Sequence, residues 1–398
     1  MMKKTDDRVV LFEQTPIPKA VATLAVPTIL SSLVMVLYNL ADTFWVGMLN
    51  DPIQNAAVTL AAPVLLAFNA VNNLFGVGSS SMMSRALGRK DYETVSRSSA
   101  FGFYCSVFCG ILFSLLCTVF QPQLLQMLGA DPTTIEATRS YLFWTVSCGA
   151  VPAILNVVMA YMVRSEGASM HASIGTMSGC ILNIILDPFF ILPWGLDMGA
   201  GGAGFATFIS NCVACLYFLI LIFVKRGHTY VCINPKKFSL QKDIVSGVCA
   251  VGIPAAIQNL LNVTSMTILN NFSSAYGADA VAAIGICQKI YMVPMYVSQG
   301  ISQGVMPLVS YNYSSENIPR MKHAVSFSRK AALTVIISVT VLFFLFPGFW
   351  VSLFMKNEAI IEYGTHLMRG FCLGLPFLSI DFLAVGVFQA VGMGRESL

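Results

Sequence analysis

Charge is what this 398-residue sequence has least of. Asp, Glu, Lys and Arg make up 11% of it, where a soluble domain carries about 25%. Hydrophobic residues make up 56%, and mean hydropathy is +0.73. One buried helix cannot account for that excess, so many lipid-facing segments are required. The period-2 alternation that a β-barrel needs is also lacking. So are a Walker motif, a nucleophile elbow, an HExxH pair, and any CxxC or Cys/His spacing that would hold a metal. The four histidines, His171, His228, His323 and His366, are scattered near span ends, which disfavours a membrane-embedded enzyme. No secretory signal peptide is evident, because the first apolar stretch is too long and no small-residue cleavage site follows it. The 11 cysteines fall mostly inside apolar runs, as at Cys105, Cys109, Cys117, Cys180, Cys212 and Cys215. They read as small packing residues in a reducing compartment.

What is present is a series of apolar segments of membrane length. Ten are expected, near 20–48, 56–80, 99–120, 138–163, 171–193, 203–224, 245–272, 282–311, 327–350 and 366–391. In lipid they must be helices, since backbone groups there have to be satisfied locally. The fold expected is an all-α polytopic membrane bundle. Basic residues cluster before the first span (Lys3, Lys4, Arg8, Lys19) and after the second (Arg85, Arg89, Lys90, Arg97). Arg164 follows the fourth span, and Lys225, Arg226, Lys236, Lys237 and Lys242 follow the sixth. Arg320, Lys322, Arg329 and Lys330 follow the eighth, and Arg395 follows the tenth. The opposite loops hold Asp51, Asp131, Asp197 and Asp279. By the positive-inside rule the N-terminus is cytoplasmic. These clusters read as topology signals, not as a nucleic-acid surface.

The chain also repeats itself at an offset of about 226 residues. "LAVPTIL" with Pro27 matches "VGIPAAI" with Pro254, and "FQPQLLQMLGADPTTIE" (120–136) lies on "FPGFWVSLFMKNEAIIE" (346–362) without a gap. Glu136 falls on Glu362, and Gly167 on Gly392 after a one-residue slip. Six spans precede the second copy, so both copies enter the membrane in the same direction, a parallel repeat with a substrate path between the halves. The expected division is an N-terminal six-helix lobe (1–224), a cytoplasmic linker (225–244) and a C-terminal lobe (245–398). The second copy contains four of six expected helices, and two more would extend it to near residue 450.

Ionisable residues inside spans cost about 2.5–3.5 kcal/mol on insertion scales and are functional candidates. Asp42 in the first span and Asp187 in the fifth each sit about 9 Å below the outer end of their helix. Two carboxylates at one depth can share a proton or a cation. Asn183 precedes Asp187 by one turn, as Tyr38 precedes Asp42, and Thr207 in the sixth span adds a hydroxyl. These oxygens suit Na⁺, and a desolvated carboxylate suits H⁺. Asp187 precedes Pro188, so ending or kinking its helix is a purely structural alternative. Asp381 in the tenth span and Lys289 in the eighth are further candidates, Lys289 with snorkelling as its plainer reading. "GAGGAG" (199–204) contains GxGxxG, but no βαβ unit surrounds it and close helix packing is expected.

Several motifs in order resemble the multidrug and toxic compound extrusion (MATE) family. They are "ADTFWVG" around Asp42, "RALGRKD" after the second span, "VRSEG" after the fourth, "NIILDP" in the fifth, "GAGGAGFATFIS" entering the sixth and "QGVMPLVSYNY" ending the eighth. The resemblance spans essentially the whole chain and looks closest to the bacterial MepA-like branch. It implies two six-helix lobes around a central cavity, and export of organic cations in exchange for H⁺ or Na⁺. It places the N-lobe cation site, with possible Na⁺ ligands, at Asp42, Asn183, Asp187 and Thr207, bordered by Tyr38 and Asn156. Gln258, Asn259 and Asp381 are the cavity candidates from the other half, and Pro27 is the implied hinge. A cell-membrane monomer without cofactor or nucleic-acid partner is expected. A lipid-linked precursor flippase, which would favour a strongly basic cavity, and a truncated non-transporting relative are the alternatives.

Overall fold

The computed structural model describes residues 7–274, 278–354 and 357–398. Lys3 and Lys4 lie outside them. Among the described residues the regular structure is helical. A short helix α1 (Asp7–Glu13) leads into α2 (Ile17–Met48) and α3 (Pro52–Asn72). A π-turn (Asn73–Val77) then joins α3 to α4 (Gly78–Gly88). Next come α5 (Tyr92–Val119), α6 (Gln121–Met127), α7 (Ile135–Leu142), a second π-turn (Phe143–Cys148) and α8 (Ala150–Ser165). The first half ends with α9 (Ser169–Ile191) and α10 (Gly199–Val224). The second half has α11 (Lys242–Ser274), α12 (Ala278–Ser314), α13 (Ile318–Leu345), α14 (Pro347–Ser352) and α15 (Glu358–Val391).

Every expected span falls on one of these helices or helix pairs. Among the described residues, eight helical segments are long and apolar enough to cross a membrane, and the pair Ile135–Cys148 and Ala150–Ser165, bent by 51° at Gly149 just after the second π-turn, makes a ninth. The expected eighth span lies within α12, which carries Gln288, Lys289, Gln299 and Gln303 along its length. The outer surface is apolar: Phe108, Leu112, Leu115 and Val119 make an exposed row on α5, and Leu373 and Phe377 another on α15. Such a surface is matched to hydrocarbon, not to water.

The internal repeat reappears in the helix ends. Asp91 caps α5 by accepting from Thr94 N (3.1 Å), and Asn317 caps α13 by accepting from Arg320 N (3.3 Å). The residues just before them, Lys90 and Glu316, are both left-handed, with φ of 58° and 61°. Asp131 accepts from the backbone N–H groups of Thr133 and Thr134, and Asn357 from those of Ala359 and Ile360. These hydrogen bonds, led by the Thr133 hydroxyl, hold the exposed Asp131 carboxyl down at about 2. Gly167 and Gly392 both end a helix at φ 87°, where a residue with a Cβ is disfavoured. Each pair keeps nearly one offset.

The two halves interlock through their first helices. α2 packs against α9 of its own half and against α12 of the other, and α11 packs back onto the first π-turn and α4. Small residues allow this. A Cβ added at Gly304 would lie 2.6 Å from Ala25 Cα, and one at Gly300 would lie 2.9 Å from Ile29 Cα. Backbones therefore touch at a small-xxx-small seam. The "GAGGAG" glycines do the same locally. Gly201 meets Ser140, Gly204 meets the Tyr141 backbone, and Gly199 sits at φ 55°.

The face carrying the basic loops is closed. Ser81 Oγ donates to Gln389 O (2.5 Å) across the halves, and Gly88 abuts the Tyr311 carbonyl. Helix α1 lies across this face as a strap. Phe12 is fully buried, against Gly167 of one half and stacked on Tyr311 of the other at 4.9 Å. Arg8 pairs with Glu166 (2.6 Å), Tyr311 Oη donates to Glu13 (2.7 Å), and Asn312 and Arg320 donate to the Phe12 carbonyl.

Two substitutions test this packing. Gly304→Val should lower the thermal midpoint of the purified protein, by overpacking worth about 1–3 kcal/mol. Gly374→Ala, inside α15 with open space around its site, should leave it unchanged or raise it slightly. Equal midpoints for both would contradict the backbone seam. Phe12→Ala removes an aromatic plug of a kind worth about 3–5 kcal/mol in a core. Protease cleavage near residue 16 should accelerate strongly, and an unchanged rate would mean the strap is not held by Phe12.

Candidate functional site: a buried carboxylate cluster and an amide-lined cavity

α2, α9 and α10 bring Asp42, Asp187, Asn183, Thr207 and Tyr38 together inside the first half. Asp187 and Asn183 are fully buried, because Asn183 and Asp187, one helical turn apart, share the face of α9 that α2 and α10 cover. The Asn183 amide is satisfied at both ends in one orientation. Nδ2 then donates to Asp187 Oδ2 at 2.9 Å, and Oδ1 accepts from Thr207 N at 3.1 Å and Thr207 Oγ1 at 3.3 Å. Asp187 faces Asp42 closely enough to feel its charge, and Tyr38 and Tyr141 both feel the two carboxylates. Asp42 Oδ1 is buried with no hydrogen-bond donor. α9 runs on through Pro188 to Ile191, so Asp187 is an interior residue and not a helix terminus.

A cavity of about 150 Å³ borders the cluster. Tyr38, Asn183 and Thr207 line it, with Met35, Asn156 and Asn211. Asn156 Nδ2 donates to Asn211 Oδ1 (3.0 Å) and to the Pro152 carbonyl (2.8 Å). A fully buried carboxylate beside a partly buried one, with an amide and a hydroxyl supplying oxygens, calls for a positive partner. Burying them without one is costly. The donor set is oxygen-rich and suits H⁺ or Na⁺. Among the described residues no group of three or more His, Cys, Asp or Glu is gathered as for a structural metal, and all 11 cysteines are free thiols.

A second cavity, of about 90 Å³, lies between the halves. Gln258 and Asn259 line it, with Asn73, Asn262, Gln299, Gln303 and Gln389. The first π-turn presents Asn73 and Val77 to this space, and α15 presents Phe382, Val385, Gly386 and Gln389. No described residue lines both cavities. Asp381 is exposed, one position from Phe382, and does not line this space. Lys289 is half-buried on α12, away from either cavity.

Pro27 sits within α2, which continues unbroken on both sides of it. Proline has no N–H to donate, so the carbonyl one turn back loses its helical partner. Thr28, Ser31 and Ser32 return their hydroxyls to backbone carbonyls nearby, which loosens helices further. Below and around this point α2 touches α12, through Leu24, Ala25 and Ile29. Above it, Met35 and Tyr38 line the cavity of the first half. Two residues beside the cluster and its cavity are not singled out by the sequence: Tyr141 and Asn211. Asn211 is findable, since it lies one turn after Thr207 on the same face. Tyr141 carries no local signal.

The family model for MatE matches residues 27–189 and 254–398. The multidrug export protein MepA of Staphylococcus aureus is 32% identical over 98% of this chain and 85% of its own length. A solved multidrug resistance MATE family transporter of the MOP superfamily, in an outward-facing conformation, superposes with a TM-score of 0.92 at 27% identity. The match covers 99% of this chain and 87% of that one. A MOP superfamily transporter from Pyrococcus furiosus, described by the reverse polarity of its binding pocket, gives 0.91 at 28% identity over the same shares. With its apolar helices, its repeated halves and these matches, the chain is a multi-pass membrane protein that belongs to the MATE transporter family.

Proposed function

We propose that this protein exports cationic and amphipathic organic molecules in exchange for H⁺ or Na⁺. The observation that carries the proposal is the separation of two sites joined by one helix. A buried carboxylate cluster lies in the first half, an amide-lined cavity lies between the halves, and α2 borders the first while packing against the wall of the second. The names of the relatives, multidrug export protein and multidrug resistance transporter, support the substrate class. The basic loops support a cytoplasmic N-terminus in the plasma membrane. The described cavity residues include one cation, Arg164, and not a basic cluster, so a pyrophosphate-carrying lipid precursor is the less fitting cargo.

The mechanism follows from charge. With both carboxylates ionised, Asp42 and Asp187 repel each other and leave Asp42 Oδ1 without a donor. Binding of H⁺ or Na⁺ from outside relieves both costs and favours repacking of α2 onto α9. Pro27 lets the outer part of α2 move while Leu24 and Ala25 stay seated on Gly304. The cavity between the halves then changes shape and the drug leaves. Release of the cation to the cytoplasm resets the helix. A ligand can shift such an equilibrium only by its differential affinity for the two states, and the carboxylate pair supplies that difference.

The direct test is ethidium efflux from loaded vesicles under an imposed H⁺ or Na⁺ gradient. Gradient-driven efflux should be present in the wild type and should fall by about tenfold or more in Asp187→Asn, at equal expression. The gradient that drives it names the coupling ion. Full coupling in Asp187→Asn would contradict the assignment of the cluster.

A further inference from the structure

Toward the basic face, the cavity between the halves continues into a small space lined by Ser80, Ser84, Tyr161, Arg164, Ser165 and Gln303, among others. The two share Tyr161, Gln303 and Met306. Arg164 is the one Asp, Glu, Lys or Arg side chain among the described residues lining either space. It is 7% exposed. Its Nη1 donates to Gln303 Oε1 of the other half at 3.2 Å, and its guanidinium lies 5.5 Å from the centre of the Tyr161 ring. Gln303 Nε2 in turn donates to the Tyr161 hydroxyl at 3.1 Å. Arg164 Nε is buried with no acceptor. No described carboxylate pairs with Arg164. Glu166, two residues on, is turned away and held by Arg8 (2.6 Å), Thr229 Oγ1 (3.0 Å) and Tyr230 N (2.6 Å).

A guanidinium has five N–H donors and no acceptor. Taken out of water, it needs an anion or several good acceptors. Here it has a neutral amide and an aromatic face. Its planar fork matches a carboxylate in two parallel hydrogen bonds. The rest of the cavity is neutral and amide-rich, with donors and acceptors for the remainder of a ligand. The geometry points to Arg164 as the binding residue for the carboxylate of zwitterionic or anionic amphiphilic substrates. The space beside it measures about 10 Å³, room for about one water, so the ligand's carboxylate takes the place of Gln303 Oε1. Because Gln303 belongs to the other half, that exchange also removes a hydrogen bond between the halves. The inference rests on the reading of this cavity as the substrate cavity.

The test uses a rhodamine with a free carboxylate and its methyl ester, which share one cationic ring system. Binding of each to the full chain in nanodiscs of zwitterionic lipid is read by fluorescence anisotropy. The quantity of interest is the affinity for the acid divided by that for the ester. In Arg164→Gln this ratio should fall by about tenfold or more, the loss expected of a charge-assisted pair, and Arg164→Lys should retain part of it. Gln303→Glu places an internal carboxylate against Arg164 and should lower the ratio as well, which keeps the test alive if Arg164→Gln does not fold. A ratio unchanged in Arg164→Gln, or in Gln303→Glu where Arg164→Gln does not fold, with both dyes bound by the wild type, would overturn this assignment alone. Failure of the wild type to bind either dye would overturn the cavity reading and this assignment together.

Discussion

The backbone-to-backbone seam between α2 and α12 is the constraint on which the rest of the structure depends. Gly300 and Gly304 let α2 of one half lie directly on α12 of the other, at Ala25 and Ile29. Lipid supplies no hydrophobic force between helices, so close packing has to hold the halves together. The seam holds α2 to the second half from Leu24 to Ile29, with Pro27 within it. Farther out, Tyr38 and Asp42 of the same helix face Asp187 of the first half. A single helix therefore has two allegiances, and its weakest hydrogen-bonded turn lies at the inner one.

Several buried amides in this bundle are placed between partners. Asn183 is held between Asp187 and Thr207, Asn156 between Asn211 and a carbonyl, and Gln303 between Arg164 and Tyr161. Other buried polar atoms have no partner, and two of them sit at the sites described above. Asp42 Oδ1 has no donor and Arg164 Nε no acceptor. One lies in the carboxylate cluster and the other at the narrow end of the cavity between the halves. A buried group left unpaired is costly, and an ordered membrane helix has no water to repair it. Both are accounted for if the missing partner is what the protein carries: a cation at Asp42 and an anionic group at Arg164.

Much of this was legible in the sequence, for identifiable reasons. Span positions follow from apolar run length, which the bilayer sets. The repeat showed as weak matches at one offset, and the caps Asp91 and Asn317, Asp131 and Asn357 give it a structural basis. Asp42 and Asp187 stood out because a carboxylate in an apolar run is conspicuous. Other features were not legible. Arg164 looked like one more basic residue at a span end, because depth along a helix does not tell which way a side chain faces. Asp381, equally conspicuous in sequence, is exposed beside the cavity and not within it, for the same reason. The strap α1 lies before the first span, in a stretch whose polarity resembles any cytoplasmic tail. Only the socket formed by Gly167 and Tyr311 shows what Phe12 is for. The π-turns at Asn73–Val77 and Phe143–Cys148 have no composition signature, yet the first sets the lining of the central cavity and the second leads into a 51° bend of a span.

The central claim is that the carboxylate cluster moves the outer part of α2 relative to the second half by way of Pro27. Electron spin resonance distances between labels at Met48 on α2 and Leu373 on α15 test it most directly. On addition of the coupling cation, the distance distribution should shift in the wild type and stay fixed in Asp187→Asn and in Pro27→Ala. A shift that persists in either variant would contradict the account, by removing the cluster from the trigger or the proline from the path.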